Sequence, residues 1–124
     1  MLSINYKDPR PIYEQVRDAL RQLILSGAIA PGEKLPSVRE LAASLAINPN
    51  TIQRSYRELE KLGLVNTVAG KGAFAATDGT AALRWREELT AMLSSTLREL
   101  KLLGVSESEL QSMVLAVFRK EDET

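Results

Sequence analysis

One short segment, residues 49–62, carries polar side chains of the types that recognise nucleic-acid bases. Wound as a helix, the segment places these on one side: Asn50, Gln53, Arg54, Arg57 and Lys61. Asn and Gln amides form paired hydrogen bonds with adenine, and an Arg guanidinium bonds guanine or a phosphate. The spacing therefore predicts a helix whose first turns enter the major groove of DNA.

Two helix starts and a tight turn would position this segment. Ser37 and Glu40 form an S-x-x-E capping box, which predicts a short helix ending near Leu45. Asn48 caps the second helix, and Pro49 takes a first-turn position where no N–H is needed. Two short helices separated by so few residues predict a helix-turn-helix.

The apolar residues of this region predict the interior beneath the two helices. They are Leu41, Ala42, Leu45, Ile47, Ile52, Leu59 and Leu62. Ala46 occupies the turn between the helices. Tyr56 borders the apolar face, so both core packing, which we favour, and contact with a DNA phosphate stay open.

A preceding helix and a following hairpin complete the arrangement. The stretch PIYEQVRDALRQLILSG, residues 11–27, has apolar side chains at helical spacing and Pro11 in its first turn. Residues 64–68 and 73–76 form two extended runs around Gly70, Lys71 and Gly72. The glycines permit close backbone approach, which suits contact of Lys71 with a phosphate or the minor groove. Three helices followed by a hairpin predict a winged helix-turn-helix.

The composition excludes several classes of function. The chain has no Cys and no His, which removes disulfides, thiolate nucleophiles, Ser-His-Asp triads and nearly every transition-metal site. Neither metal, cofactor nor enzymatic activity is therefore expected. The formal charge is zero, with 10 Lys or Arg against 8 Asp or Glu in residues 1–79 and 6 against 8 beyond them. Because this bias is slight, a winged helix used for protein–protein assembly remains an alternative.

The last third of the chain predicts two amphipathic helices. Its apolar stripe comprises Trp85, Leu89, Met92, Leu93, Leu97 and Leu100, continued by Met113 and Val117 in the last helix. A tail of this size cannot bury both apolar faces alone, so dimerisation is a better interpretation than a ligand site. The T-D-G-T stretch predicts a boundary between a DNA-binding domain, residues 1–78, and a dimerisation tail, residues 79–124.

The remaining features predict a cytoplasmic protein without a membrane partner. No apolar run approaches the roughly 20 residues that span a bilayer. The N-terminal residues also lack the charged start, apolar core and cleavage site of an export signal.

Residues 8–76 closely resemble the DNA-binding domain of the GntR family of bacterial transcription regulators. The motifs that carry the resemblance occur in order: P-G-x-x-L-P-S-x-R-x-L-A, an N-x-T helix start and a G-K-G wing. The resemblance implies that Arg39 contacts phosphate and base, that Thr51 and its neighbours read the groove, and that Lys71 and Gly72 form the wing tip. This sequence departs from many members at Pro49 and Gln53, where they have Arg, and at Ala46, where glycine is common.

The N-P-N-T start and the short tail resemble the YtrA subfamily. This resemblance implies a dimer formed by two C-terminal helices and a repressor, often of a transporter operon. The sequence thus predicts a homodimer on a two-fold double-stranded DNA operator, with a possible small-molecule effector that it does not identify. The predicted DNA-binding residues are Ser37, Arg39, Asn48, Asn50, Thr51, Gln53, Arg54, Arg57, Lys71 and Gly72.

Overall fold

The computed structural model describes residues 2–122 and has the mostly helical α+β architecture that the sequence predicts. Its elements in chain order are α1 (Ile12–Leu25), α2 (Val38–Leu45), α3 (Pro49–Lys61), β1 (Val65–Val68), β2 (Gly72–Ala75), α4 (Thr80–Leu102) and α5 (Glu107–Asp122). Pro11 lies immediately before α1 as its N-cap residue, one position earlier than predicted. The chain divides into two compact units between Arg84 and Trp85, within α4. The boundary between functional regions near residue 78 stays a prediction.

The core of the first unit lies between α1, α3 and the hairpin. Val16 and Leu20 of α1 pack with Ile52 and Leu59 of α3, and all four are almost completely buried. Ala81, in the first turn of α4, is buried in the same core. Removing these apolar side chains from water is the main favourable term in folding this unit.

Local capping bonds fix the two helices of the helix-turn-helix. The Ser37 hydroxyl accepts a hydrogen bond from the Glu40 N–H at 3.1 Å, and the Asn48 Oδ1 accepts one from the Asn50 N–H at 2.8 Å. Between the helices, Ala46 adopts the left-handed conformation with φ 54°, and the Ile47 N–H donates to the Ala42 carbonyl at 2.9 Å. Three residues therefore separate the two helices, which agrees with the short turn that the sequence predicts.

Replacing Ala46 with glycine is expected to raise the free energy of unfolding by about 1 kcal/mol, because a left-handed residue with a Cβ costs roughly 1–2 kcal/mol. The greater freedom of glycine in the unfolded chain offsets part of this gain. Ala43→Gly, inside α2, provides the matched control and should lower the same free energy by about 0.5–1 kcal/mol. Urea denaturation measures both changes, and equal destabilisation by the two glycines would contradict the expected strain at Ala46.

The hairpin is extended on one edge by the chain that precedes α2. β1 pairs antiparallel with β2, from Val65 opposite Ala75 to Val68 opposite Gly72. On the other side of β2, the Leu35 N–H donates to the Ala73 carbonyl at 2.8 Å, and the Ala75 N–H donates to the Glu33 carbonyl at 2.9 Å. These bonds place residues 33–35, and hence the start of α2, directly beside the wing.

The second unit, described by itself, contains the rest of α4 and α5. Gly104, with φ 88°, follows α4, and the Ser106 hydroxyl caps α5 by accepting from the Glu109 N–H at 3.1 Å. Many large apolar side chains of the two helices and of the turn between them are exposed: Leu89, Met92, Leu93, Leu97, Leu102, Leu103, Met113, Val114, Leu115, Val117 and Phe118. Exposed apolar side chains in this number are typical of a surface that binds a partner.

Candidate nucleic-acid interface

The third helix separates its polar and apolar residues as the sequence predicts. Ile52, Ser55, Tyr56 and Leu59 are buried, which sets the orientation of the helix on the core. The polar residues Asn50, Gln53, Arg54, Arg57 and Lys61 are all exposed, whereas Thr51 is half-buried. Side chains that can hydrogen-bond to base edges are therefore exposed to solvent, while the opposite face of the helix is packed on the core.

Tyr56 belongs to the core, which decides between its two possible roles. Only 5% of it is exposed, and its hydroxyl donates to the Pro36 carbonyl at 2.6 Å. Burial, with the Glu40 carboxylate adding to its effect, raises the pKa of Tyr56 to about 12. The hydroxyl consequently stays protonated at neutral pH and fixes α3 to the chain before α2.

Ser55 fixes α3 to α1 by a buried hydrogen bond. Its hydroxyl contacts the Tyr13 carbonyl at 2.8 Å and the Thr51 carbonyl at 3.2 Å. Beside it, the Arg54 guanidinium carbon lies 3.7 Å from the centroid of the Tyr13 ring. Sequence reasoning gave Tyr13 no role, because nothing in a helical pattern shows which residue of a neighbouring helix a side chain will contact.

A groove of about 370 Å³ lies between α3 and the wing. The predicted site residues that line it are Ser37, Gln53, Arg57, Lys71 and Gly72. Lys34 lines the same groove and adds a third cation to those of Arg57 and Lys71. One carboxylate, that of Glu60, also lies there, and it accepts a hydrogen bond from the Thr67 hydroxyl at 3.1 Å. The excess of cations favours an anionic partner.

Lys34 is a candidate residue that sequence reasoning missed. It lies far from Gly72 in the chain, and only the pairing of residues 33–35 with β2 brings it to the wing. Gly72 has φ 119°, and a Cβ built on it would lie 2.9 Å from the Lys34 Cε. The positive φ therefore favours glycine at this position, and the Lys34 side chain lies close to its backbone.

The other predicted DNA-binding residues lie outside this groove. Arg39 is exposed in the first turn of α2, while Asn48, Asn50 and Thr51 lie at the start of α3. Arg54 is on the side of α3 that faces α1. The candidate interface consequently includes both helix N-termini, where the helix dipole favours a phosphate, and the groove beside the wing.

The predicted dimerisation residues differ in exposure. Leu89, Met92, Leu93, Leu97, Met113 and Val117 are exposed, whereas Trp85 and Leu100 are half-buried. Trp85 and Leu100 thus expose a smaller fraction of their surface than the other six. The contact of these residues with a second copy stays a prediction.

Two kinds of feature are absent from the described part of the chain. No helix within residues 2–122 is both long and apolar enough to cross a membrane. In the same residues, no group of three or more His, Cys, Asp and Glu side chains could hold a metal ion.

Comparison with known proteins identifies the family. The family model described as bacterial regulatory proteins, gntR family, matches residues 12–75, which include α1, the helix-turn-helix and the hairpin. The chain belongs to the GntR family. It is therefore a DNA-binding transcription regulator, and the family is one of regulators rather than enzymes.

Relatives and solved structures support the same assignment. The HTH-type transcriptional repressor YtrA of Bacillus subtilis is 45% identical over 74 residues, which are 60% of this chain and 57% of that protein. A GntR family transcriptional regulator from Listeria monocytogenes superposes with a TM-score of 0.74 at 34% identity, covering 88% of this chain and 96% of that one. The YtrA-like resemblance inferred from the N-P-N-T start agrees with these matches.

A third comparison concerns DNA directly. The DNA-binding domain of AraR has been solved in complex with operator ORX1. It is 30% identical to this GntR-family chain, with a TM-score of 0.56, and covers 60% of this chain and 96% of that one. A domain of this fold therefore binds operator DNA in AraR.

Proposed function

We propose that this GntR-family regulator is a cytoplasmic homodimeric repressor that binds a two-fold operator, such as that of a transporter operon. The first turns of α3 enter the major groove, and the wing contacts the adjacent backbone or minor groove. The observation that carries the proposal is the exposed polar face of α3 beside the cationic groove. The alternative is a winged helix that assembles with another protein, and it would not need these cations.

The polar residues have different roles on the DNA. Asn50 and Gln53, on the exposed face of α3, contact base edges, because their amides suit adenine. Arg39, Arg57 and Lys71 neutralise phosphates and so supply the salt-dependent part of the affinity. Lys34 joins this second group, because it lines the groove with Arg57 and Lys71.

The apolar residues of the second unit support a homodimer. Leu93 and Met92 of α4, and Met113 and Val117 of α5, are each more than half exposed. A second copy of the chain would remove this surface from water, and two copies related by a two-fold axis would match a palindromic operator. A small-molecule effector would act by changing the spacing of the two α3 helices, since a half-site spacing has to fit the DNA turn.

Fluorescence anisotropy tests the proposal. Labelled DNA from the promoter region of the protein's own gene is compared with scrambled DNA of equal length over a salt series. A preference of about 10³-fold or more for the promoter at physiological salt is expected for a specific regulator. Equal, weak and steeply salt-dependent binding to both DNAs would contradict a specific operator there and favour the protein-assembly alternative.

Two substitutions in the same assay should separate the two kinds of contact. Arg39→Ala should weaken binding to every sequence by roughly 10-fold and reduce the salt slope by about one, because one phosphate contact is lost. Gln53→Ala should instead lower the preference for particular bases in the operator. Arg98→Ala removes an exposed cation from α4 and serves as the charge-matched control, expected to leave affinity unchanged. Wild-type affinity in both Arg39→Ala and Gln53→Ala would contradict the placement of α2 and α3 on DNA.

A further inference from the structure

The contact between Arg54 and Tyr13 leaves the hydrogen-bonding edge of the guanidinium free. With its central carbon 3.7 Å from the ring centroid, the planar group is in cation–π contact with the aromatic ring. All five N–H donors of a guanidinium lie in its plane, so contact through one face leaves them directed outwards. Arg54 itself remains exposed.

Tyr13 is held in place independently of Arg54. It is half-buried near the start of α1, and its carbonyl accepts the 2.8 Å hydrogen bond from the hydroxyl of Ser55. Ser55 follows Arg54 in α3, so this bond fixes the two backbone segments that carry the ring and the guanidinium. The backbone that carries the ring is consequently held beside α3.

Asp8 and Asp18 of the first unit form ion pairs with other arginines. Asp18 contacts Arg10, Arg17 and Arg21 at 2.8–3.2 Å, and Asp8 contacts Arg10 at 3.1 Å. Among the described residues, Arg54 has no carboxylate oxygen within salt-bridge distance. Its donors are therefore available to an anion outside the chain.

We propose that Tyr13 is a positioning residue for DNA binding, whose ring holds the Arg54 guanidinium so that its edge donates to an operator phosphate. This inference rests on the proposed function. An unsupported arginine loses rotamer freedom when it contacts DNA, and ordering such a side chain costs about 0.5–1.5 kcal/mol. A side chain already held by an aromatic ring loses less. Arg57, with no ring contact of this kind among the described residues, provides the comparison.

A double-mutant cycle tests the proposal with the full chain and promoter DNA. Tyr13→Leu should weaken binding about 3- to 10-fold, the fold-change that corresponds to this ordering cost. Tyr13→Phe retains the ring and should bind like the wild type. In an Arg54→Ala background, Tyr13→Leu should change affinity less than about 2-fold, whereas in an Arg57→Ala background its full effect should persist. Equal effects of Tyr13→Leu in both backgrounds would overturn the proposal, because a structural defect of α1 would act on both.

A measurement on the wild-type protein covers the case in which Tyr13→Leu does not fold. The Nε–H proton of Arg54, assigned by its loss in Arg54→Lys, should resonate upfield of that of Arg57, because it lies over a ring. The upfield shift should persist when promoter DNA is added. An Arg54 signal that coincides with that of Arg57, with or without DNA, would overturn the proposal. If the wild type shows no preference for the promoter, the proposed operator fails, and the Arg54 signal of the free protein still reports separately on the support by Tyr13.

Discussion

Replacing Leu93 with aspartate is expected to convert the proposed dimer to a monomer and to lower its affinity for a two-fold operator by roughly 10²- to 10⁴-fold. Leu93 lies in α4 with 58% of its surface exposed, among Leu89, Met92 and Leu97. A charge placed in an apolar interface is costly to remove from water. When one subunit of a dimer is bound to its half-site, the other subunit is held at a high effective concentration near the second half-site. A monomer loses this gain in affinity.

Sedimentation measures the mass of the Leu93→Asp variant, and anisotropy measures its operator affinity. Ser94→Asp is the matched control, because it adds the same charge to the neighbouring position, which the helical period turns away from the stripe. This control should remain dimeric and bind DNA normally. A dimer mass for Leu93→Asp would place the interface elsewhere. A monomer that retained wild-type operator affinity would instead contradict binding as a two-fold dimer.

Replacing Leu59 with alanine should lower the free energy of unfolding by about 2–5 kcal/mol. Leu59 lies in α3 and is completely buried, in the same apolar core as Val16, Leu20 and Ile52. The substitution removes apolar contacts and leaves a cavity that the surrounding side chains fill only in part. Since marginally stable domains have only about 5–15 kcal/mol in total, much of the DNA-binding unit's stability would be lost.

Urea denaturation followed by circular dichroism measures this loss at a fixed protein concentration, because a dimer's apparent stability depends on concentration. Leu102→Ala makes the same chemical change at a position that is 87% exposed in α4. It should alter the free energy of unfolding by less than about 0.5 kcal/mol. Similar effects of the two substitutions would show that Leu59 does not form the core between α1 and α3.

The elements that position the site were predictable because their signals are local. A cap such as Ser37 or Asn48 bonds an amide two or three residues away, so residue types at that spacing suffice to mark a helix start. The hairpin was also predictable from local sequence, since Gly70 and Gly72 supply the positive φ values that its turn requires. The exposed face of α3 followed from helical period alone.

Which residues come together at the site depended on contacts between distant parts of the chain. Lys34 lies next to Gly72 only because residues 33–35 pair with β2. The Tyr56 hydroxyl bonds to the Pro36 carbonyl only because α3 packs against the chain before α2. No spacing rule connects these residues, since their separation in sequence has no relation to a helical or strand period.

The sequence by itself determined the order of the helices and strands, their bounds to within a few residues, which face of α3 is polar, and, through its motifs, the GntR family. The tertiary structure alone decided that Tyr56 belongs to the core, that Lys34 joins the groove, and that the Tyr13 ring contacts Arg54. The physical reason is the range of the interactions. Backbone geometry and capping are fixed within one turn of chain, whereas a side chain's neighbours are fixed only when separate elements bury their apolar faces together.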